Sequence, residues 1–494
     1  MSFNPKPIPR VSTFKKTVFK GIVWNLFNTV GKFALRFVFA VAITRILTPR
    51  DYGLVAYTGL FLAIASWLSE GGFGSALIQK KDAGEIDFST AFYFNFSVST
   101  IFFIVYFVSA PFVAGFFNEP ELTRIMRVLS LTLICNSLCY IHQIKLVKTI
   151  DFKKQAIINF SSSLVAGIAG LFLAISGYGY WALIVQTLAG SILTMLGIWY
   201  AVKWKPMLRF SADSFREQFR FGYKVFVQGL LESIFREIHS TVIGKTYKTA
   251  SLGNFSRGQK FYDLLIVETG FAINQVLYPS MVKKTGNEGQ HRVAYAKTYS
   301  ILFFIAAPLS LFLFLLAKPI ALVLLTDKWI GVVPFMKLFF LAGFIYMPVY
   351  FNSITVLSSN RSGLYLKMDV IRNVLMAVAL AITYRYSIEA IITGWLIVYY
   401  LFFIVYEVKM YQLRYFENNK YTKMLQVLVG LLPMLLFYAG SAYIISDPFY
   451  LLIANLFVQP ILYLVVMRYS RFSVYRQFSA TLKPLLPDRI RFVI

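Results

Sequence analysis

The sequence predicts an all-α integral membrane protein of about fourteen transmembrane helices. Three observations predict it: the composition, a row of long apolar stretches, and the placement of Lys and Arg. Of 494 residues, 58% are hydrophobic and only 14% charged. A soluble globular domain carries about a quarter charged residues. Mean hydropathy is +0.64. These values exclude a soluble enzyme and a disordered tail. The net charge of +27 would invite a nucleic-acid reading in a soluble chain. Membrane proteins gather Lys and Arg in cytoplasmic loops, so no nucleic acid is expected as a partner.

A helix needs about 20 mostly apolar residues to cross the hydrocarbon core. Fourteen stretches meet this: 19–47, 53–78, 88–116, 122–146, 154–176, 179–202, 217–246, 252–281, 293–317, 331–357, 362–384, 387–411, 422–446 and 449–468. The seventh and eighth carry the most charge. Residues 1–18 form a basic N-terminus, and the apolar segment behind it is too long for a signal peptide. The connections 203–216 and 282–292 are among the longest, which leaves no room for a soluble catalytic domain. A basic tail, 469–494, follows the last span.

Orientation follows from the loops. One set holds Lys80, Lys81, Lys145, Lys148, Lys203, Lys205, Lys283, Lys284, Lys420 and Lys423, with others like them. The opposite set holds fewer, among them Arg45, Arg50, Arg124 and Lys318. The positive-inside rule then puts both termini in the cytoplasm. Trp24, Trp181, Trp204 and Trp329 fall near span ends, as interfacial anchors do.

An internal repeat shows at a spacing near 200. Asn28, Lys32, Arg36, Arg45 and Gly53 are followed two hundred residues later by Gln228, Glu232, Arg236, Lys245 and Gly253. Glu70 and Phe73 match Glu268 and Phe271 at 198, and Pro111 and Asn118 match Pro319 and Thr326 at 208. Six helices per repeat is even, so both copies share one orientation. The expected architecture is an N-terminal six-helix bundle (19–202), a cytoplasmic linker (203–216), a C-terminal six-helix bundle (217–411) related by a pseudo-twofold along the membrane normal, and two additional helices (422–468). Transporters built from parallel repeats hold substrate between them.

Charge inside the membrane costs roughly 2.5–3.5 kcal/mol per residue on insertion scales, so it marks function. Asn28, Lys32 and Arg36 fall on one face of the first helix, four residues apart. Gln228, Glu232 and Arg236 repeat the stripe on the seventh, with His239 a turn beyond. Glu232 also stands four residues before Arg236, placed for an intrahelical pair. Arg257, Lys260, Asp263 and Glu268 follow on the eighth, and Lys367, Asp369 and Arg372 on the eleventh. Cations outnumber acids, and a basic cavity suits a phosphate or pyrophosphate. Arg offers it bidentate donors and Lys a point charge. The expected pyrophosphate contacts are Lys32, Arg36, Arg236, Arg257 and Arg372, with Asn28, Gln228, Glu232 and His239 as polar lining. Glu70, Asp263 and Glu268 are the candidates for coupling to an ion.

Signals of catalysis are weak. Gly244-Lys245-Thr246 lacks the upstream glycine of a phosphate loop. His142, His239 and His291 make no metal spacing, and Cys135 and Cys139 make neither a metal motif nor a disulfide framework. No catalytic residue, metal or cofactor is expected.

The segments TRILTPRDYGLVAY (44–57) and EGGFGSALIQKKD (70–82) resemble the start of bacterial polysaccharide-unit flippases. These are the Wzx-like members, of colanic-acid-exporter type, of the superfamily that also holds MATE drug exporters and the peptidoglycan-precursor flippase. The helix count and paired halves fit along the whole chain. The resemblance implies export of undecaprenyl-pyrophosphate-linked oligosaccharides across the bacterial inner membrane, by alternating access, for lipopolysaccharide or exopolysaccharide biosynthesis. It implies a basic cavity, a role that falls here on Lys32, Arg36 and Arg236. Membrane lipids and the polysaccharide polymerase machinery are the further partners it implies. A multidrug exporter of the same fold is the first rival, and it would call for an acidic cavity. A membrane glycosyl transferase or polymerase is the second, and it would call for a larger external loop.

Overall fold

The computed structural model describes residue 31 and residues 34–70, 72–149, 151–271, 288–359, 361–415 and 420–482. Within these the chain is helical, and its contacts divide it into two units, Met1–Gly253 and Asn254–Ile494.

The first unit holds α1 (34–46), α2 (Pro49–Ala56), α3 (Gly59–Glu70), α4 (Phe73–Gln79), α5 (Glu85–Phe117), α6 (Glu121–Lys148), α7 (Phe152–Ile175), α8 (Trp181–Val202) and α9 (Ala212–Thr246). α10 (Thr249–Tyr262) crosses the division. The second unit continues with a π-helical turn, Asp263–Val267, α11 (268–271), α12 (Glu288–Leu315), α13 (Ala317–Ile320), α14 (Val333–Ser358), α15 (Ser362–Thr383), α16 (Ile388–Gln412), α17 (Lys420–Ile444), α18 (Pro448–Tyr469) and α19 (Ser473–Leu482).

Ten helical stretches among the described residues are long and apolar enough to cross a membrane, against fourteen expected. Four of the expected spans are not among the ten. Nearly half of the first expected span lies outside the described residues. The seventh, eighth and eleventh are helical where described, but carry charges: Glu232 and Arg236 on α9, Arg257 and Lys260 on α10, and Lys367, Asp369 and Arg372 on α15. The second expected span is among the ten, at Pro49–Gln79, but it is broken into α2, α3 and α4. Gly72 makes the last break, at φ 72°, and a Cβ there would overlap the Gly222 carbonyl of α9. Only glycine meets both demands without strain.

The start of α2 explains part of the first sequence motif. Thr48 caps the helix and Asp51 reaches back, its carboxylate accepting from the Thr48 amide at 2.8 Å and the Thr48 hydroxyl at 2.6 Å. Pro49 fills the first helical position, where no amide donor is needed. Arg50 then bridges Glu119 and Glu121 at the opening of α6, at 3.4 and 3.1 Å.

Both units repeat one packing scheme. In the first, α5 packs on α6, α6 on α8 and α7 on α8; in the second, α12 packs on α14, α14 on α16 and α15 on α16. The chain stops match as well. Lys203 (φ 50°) and Arg414 (φ 59°) both take positive φ at a spacing of 211, whereas Asn118 (φ 58°, ψ 35°) and Thr326 (φ 82°, ψ 170°), at 208, share only the sign of φ. A positive φ at a non-glycine residue is uncommon, so the Lys203 and Arg414 pair supports the internal repeat independently of side-chain identity.

The cores are aromatic-rich. Phe73, Leu77, Phe88, Phe92 and Ile141 fill the first unit where α4, α5 and α6 meet. Tyr295, Tyr299, Phe351, Phe402 and Met410 fill the second. α17 and α18 pack on each other and on α12, outside the repeated scheme, through Leu431, Met434, Tyr463 and Met467. α19 adds Val474 and Tyr475 to that cluster. Rows of exposed apolar residues, such as Ile101, Ile104, Val105 and Val108 on α5, are the faces that meet acyl chains. The chain is a multi-pass membrane protein.

Candidate substrate-handling residues

Two helices of the first unit carry the basic stripe singled out by the sequence. α1 buries Phe39, Ile43 and Thr44. Phe39 lies against Gly167 of α7, where any Cβ would overlap the ring. This contact fixes the rotation of α1 and leaves Arg36 exposed. Asn28 and Lys32 lie outside the described residues.

α9 is held by a seam of small residues. Gly222, Gly229, Ser233 and Ser240 are buried along it. Gly229 receives Trp67 of α3, whose indole donates to the Phe226 carbonyl at 2.7 Å. Small residues let helix backbones approach closely in lipid, where packing and hydrogen bonds hold helices together. With that seam against α3, Glu232 and Arg236 are exposed and His239 half-buried. Arg236 pairs with its neighbour Glu237 at 3.7 Å, where the spacing suggests Glu232. Gln228 lies on α9, with its side chain outside the described residues.

The start of α9 is clamped. Asp87 of α5 is buried and accepts from the Ser214 hydroxyl at 2.5 Å, the Gly84 amide at 2.9 Å and the Lys80 ammonium at 3.1 Å. Gln218 donates to the Asp87 carbonyl at 3.1 Å and to the Ser214 hydroxyl at 2.8 Å. Lys80 also reaches Glu217 at 2.7 Å, and chiefly that bond raises its pKa above the ordinary lysine value. In the linker, the Met207 amide donates to Ser89 and the Ser211 amide to Thr90. Beside this clamp Lys145 pairs with Glu85 at 2.9 Å and sits 4.3 Å from the Trp204 ring centroid. The Trp204 indole donates to the same Glu85.

The second unit places the remaining candidates apart. Arg257 is buried on α10, its guanidinium 5.3 Å from the Phe261 ring centroid. Asp263 is half-buried and opens the π turn; Glu268 is exposed just after it. Arg372 pairs with Asp369 one turn before it on α15. Glu70 ends α3, with its side chain outside the described residues. The arrangement therefore offers exposed cations on α1 and α9, and internally paired ones on α15.

A polar cluster that the sequence reading passed over lies among α12, α14, α16 and α17. There Glu407 and Lys420 form a buried pair at 2.6 Å. The available signal was a Glu inside an apolar span followed thirteen residues later by the Lys that opens the next helix.

Comparison with known proteins agrees with this architecture. A family model described as polysaccharide biosynthesis protein matches residues 42–334. The chain is 23% identical over 333 residues to the succinoglycan biosynthesis transport protein ExoT of Rhizobium meliloti (strain 1021), covering 67% of each chain. It is 22% identical over 359 residues to the teichuronic acid biosynthesis protein TuaB of Bacillus subtilis (strain 168), covering 72% of this chain and 74% of the relative. Among solved structures it is similar to the lipid II flippase MurJ in an inward closed conformation. That likeness has a TM-score of 0.76 at 15% identity, over 92% of this chain and 99% of the other, and it concerns the fold.

Proposed function

The chain belongs to the polysaccharide biosynthesis protein family, and from that premise we propose that it translocates lipid-linked oligosaccharide units across the bacterial cytoplasmic membrane. The observation that carries this reading is the coincidence of two things. The family match covers residues 42–334, and the likeness to a lipid II flippase covers 92% of the chain. A succinoglycan biosynthesis transport protein and a teichuronic acid biosynthesis protein are among the relatives, and the first supports export rather than catalysis. The cargo class is a polyprenyl pyrophosphate carrying a short glycan. Both termini face the cytoplasm, a reading that the Lys and Arg placement supports. The exported units go to an extracytoplasmic polymerase.

The pyrophosphate is held by Lys32, Arg36 and Arg236, with Arg257 and Arg372 in secondary roles. Exposed Arg36 and Arg236 supply forked donors that match phosphate geometry. Glu232 and His239 line the polar path beside them. The hydrophobic lipid tail stays among acyl chains, so only the polar head needs a shielded route. Binding the head on one side and releasing it on the other requires the basic site to be exposed alternately to each face.

The test is complementation of a bacterium that lacks its own exporter for a surface polymer, scored by polymer at the cell surface. Arg36→Glu and Arg236→Glu should each abolish export while the chain still inserts. Full export in both variants overturns the assignment of these residues.

A further inference from the structure

Where α16 turns toward α17, four helices of the second unit close on one carboxylate. Glu407 on α16 is 6% exposed and Lys420, the first residue of α17, 4%. Glu407 Oε2 accepts from the Lys420 ammonium at 2.6 Å. Its Oε1 accepts from the Tyr299 hydroxyl of α12 at 2.8 Å and from the Asn352 amide of α14 at 3.1 Å. Tyr295 of α12 donates to Asn352 Oδ1 at 2.6 Å and lies 3.4 Å from the Lys420 nitrogen. The ammonium also stands 3.6 Å from the Tyr299 ring centroid. Phe351, Phe402 and Met410 surround the cluster.

The first unit has the same crossing with an aromatic side chain in place of the acid. Phe92, His142 and Trp199 meet on α5, α6 and α8, with ring centroids 4.6–6.4 Å apart. At spacings of 207, 210 and 208 residues stand Tyr299, Asn352 and Glu407. One copy of the repeat is therefore an aromatic plug, and the other holds a desolvated acid and its counter-ion.

A plug of side chains would hold the helices as well as a pair does. Replacing a buried ion pair by apolar residues of similar volume is often neutral or stabilising, and charge kept inside a membrane marks function. The pair here can also be opened without leaving net charge in the pocket. With Lys420 docked, the carboxylate and ammonium cancel. With a proton on Glu407 and Lys420 withdrawn, the pocket is again neutral. Lys420 begins its helix, so its stem can carry the ammonium out to the headgroup layer.

We propose that Glu407 is a proton-binding site and Lys420 its removable counter-ion, so that a proton and the Lys420 ammonium alternate on one carboxylate. A hydronium ion gives its proton to Oε2 and leaves as water, the O–H bond forms, the ionic contact to Lys420 breaks, and Lys420 leaves with its own charge. As a step in transport, the exchange rests on the function proposed above. Other polar and titratable groups lie around the acid, among them buried His291 of α12, whose Nδ1 is 2.9 Å from the Tyr415 hydroxyl. Tyr295 and Tyr299 face the acid from α12, Asn352 from α14, and Tyr421 and buried Lys423 follow Lys420 on α17. On α15 the Asp369–Arg372 pair is internally matched, and on α16 Lys409 bonds Gln412.

The full-length chain, reconstituted in phosphatidylethanolamine–phosphatidylglycerol vesicles, is taken from about pH 8 to about pH 5 while infrared difference spectra follow protonated carboxyl groups. A carboxyl band that appears on acidification should be missing in Glu407→Gln. In Lys420→Met the size of that band should change, because the acid has lost its counter-ion. A spectrum unchanged in Glu407→Gln, or a band unchanged in Lys420→Met, overturns the proposal. The double variant Glu407→Gln/Lys420→Met keeps the pocket neutral and guards against misfolding. It should insert normally yet export polymer without the pH dependence of the parent; an unaltered pH profile of export also overturns the coupling. If the parent exports no polymer in any host, the transport reading falls, while the infrared result still decides the proton site.

Discussion

Gly53 on α2 and Gly253 on α10 each lie under the backbone of the other's helix. A Cβ at Gly53 would overlap the Thr249 carbonyl, and a Cβ at Gly253 would overlap the Pro49 carbonyl. The contact is reciprocal: residues 49 and 53 meet residues 249 and 253, at a constant spacing of 200. Tyr57 closes it, donating to the Gly244 carbonyl at 3.0 Å and lying 3.2 Å from the Thr249 hydroxyl. Two copies of one turn thus cross with their backbones in contact, as a local two-fold requires.

Because both obstacles are backbone atoms, neither can step aside. Gly53→Val and Gly253→Val should each cost more than the roughly 1–3 kcal/mol typical of overpacking. The double variant should be no worse than additive losses imply, since one parted crossing relieves both clashes. Thermal unfolding of the detergent-purified chain measures this. A Gly53→Val chain with unchanged midpoint would refute the crossing.

The two acids at the start of α5 should differ sharply. Asp87 is buried and takes three donors from α9, the preceding loop and Lys80. Asp87→Ala strands those donors and should lower stability by about 2 kcal/mol. Glu85 is 39% exposed on its side chain, and water can replace its partner. Lys145→Met should therefore cost only about 1 kcal/mol, much of it from the lost contact with the Trp204 ring. Equal midpoints for the two variants would contradict this ranking.

The Lys80 pKa gives the clamp a pH signature. Its bond to Glu217 raises the folded pKa above the ordinary lysine value. Its stabilising contribution is complete below the unfolded value and is lost as pH rises through the higher folded one. The start of α9 should thus stay docked from neutrality to well into the alkaline range. In Glu217→Gln the loosening should begin at lower pH, measured as protease cleavage within 203–216. An identical onset would show that this bond does not act on the clamp.

Forked recognition of phosphate distinguishes Arg from Lys. At Arg36 and Arg236, Arg→Lys should preserve partial export and Arg→Gln should reduce it about 10- to 100-fold, the scale of one lost charge-assisted contact. Surface polymer in the complemented strain measures it. Equal export by the Lys and Gln variants would mean that charge at these positions is not used.

Much of the helical layout was readable from the sequence, because lipid demands long apolar stretches and the loops announce themselves by charge. The repeat was readable for a related reason: Gly53 and Gly253 are fixed by backbone contact and cannot drift. What stayed hidden depends on partners distant in the chain. The break at Gly72 is enforced by Gly222 of α9, which a local reading of the apolar stretch 53–78 cannot register. Lys420 reads as a loop cation until folding joins it to Glu407. The candidate cations separated similarly: Arg372 found its partner one turn away, whereas Arg36 and Arg236 remain exposed.

The short terminal helix α19 has a practical bearing on handling the protein. Phe478 stacks 4.6 Å from Phe304 of α12, and Val474 and Tyr475 close the same cluster. A truncation ahead of Ser473 would strip a lid from that hydrophobic patch and invite clumping during purification. An affinity tag is better appended after Leu482 than substituted for the segment before it.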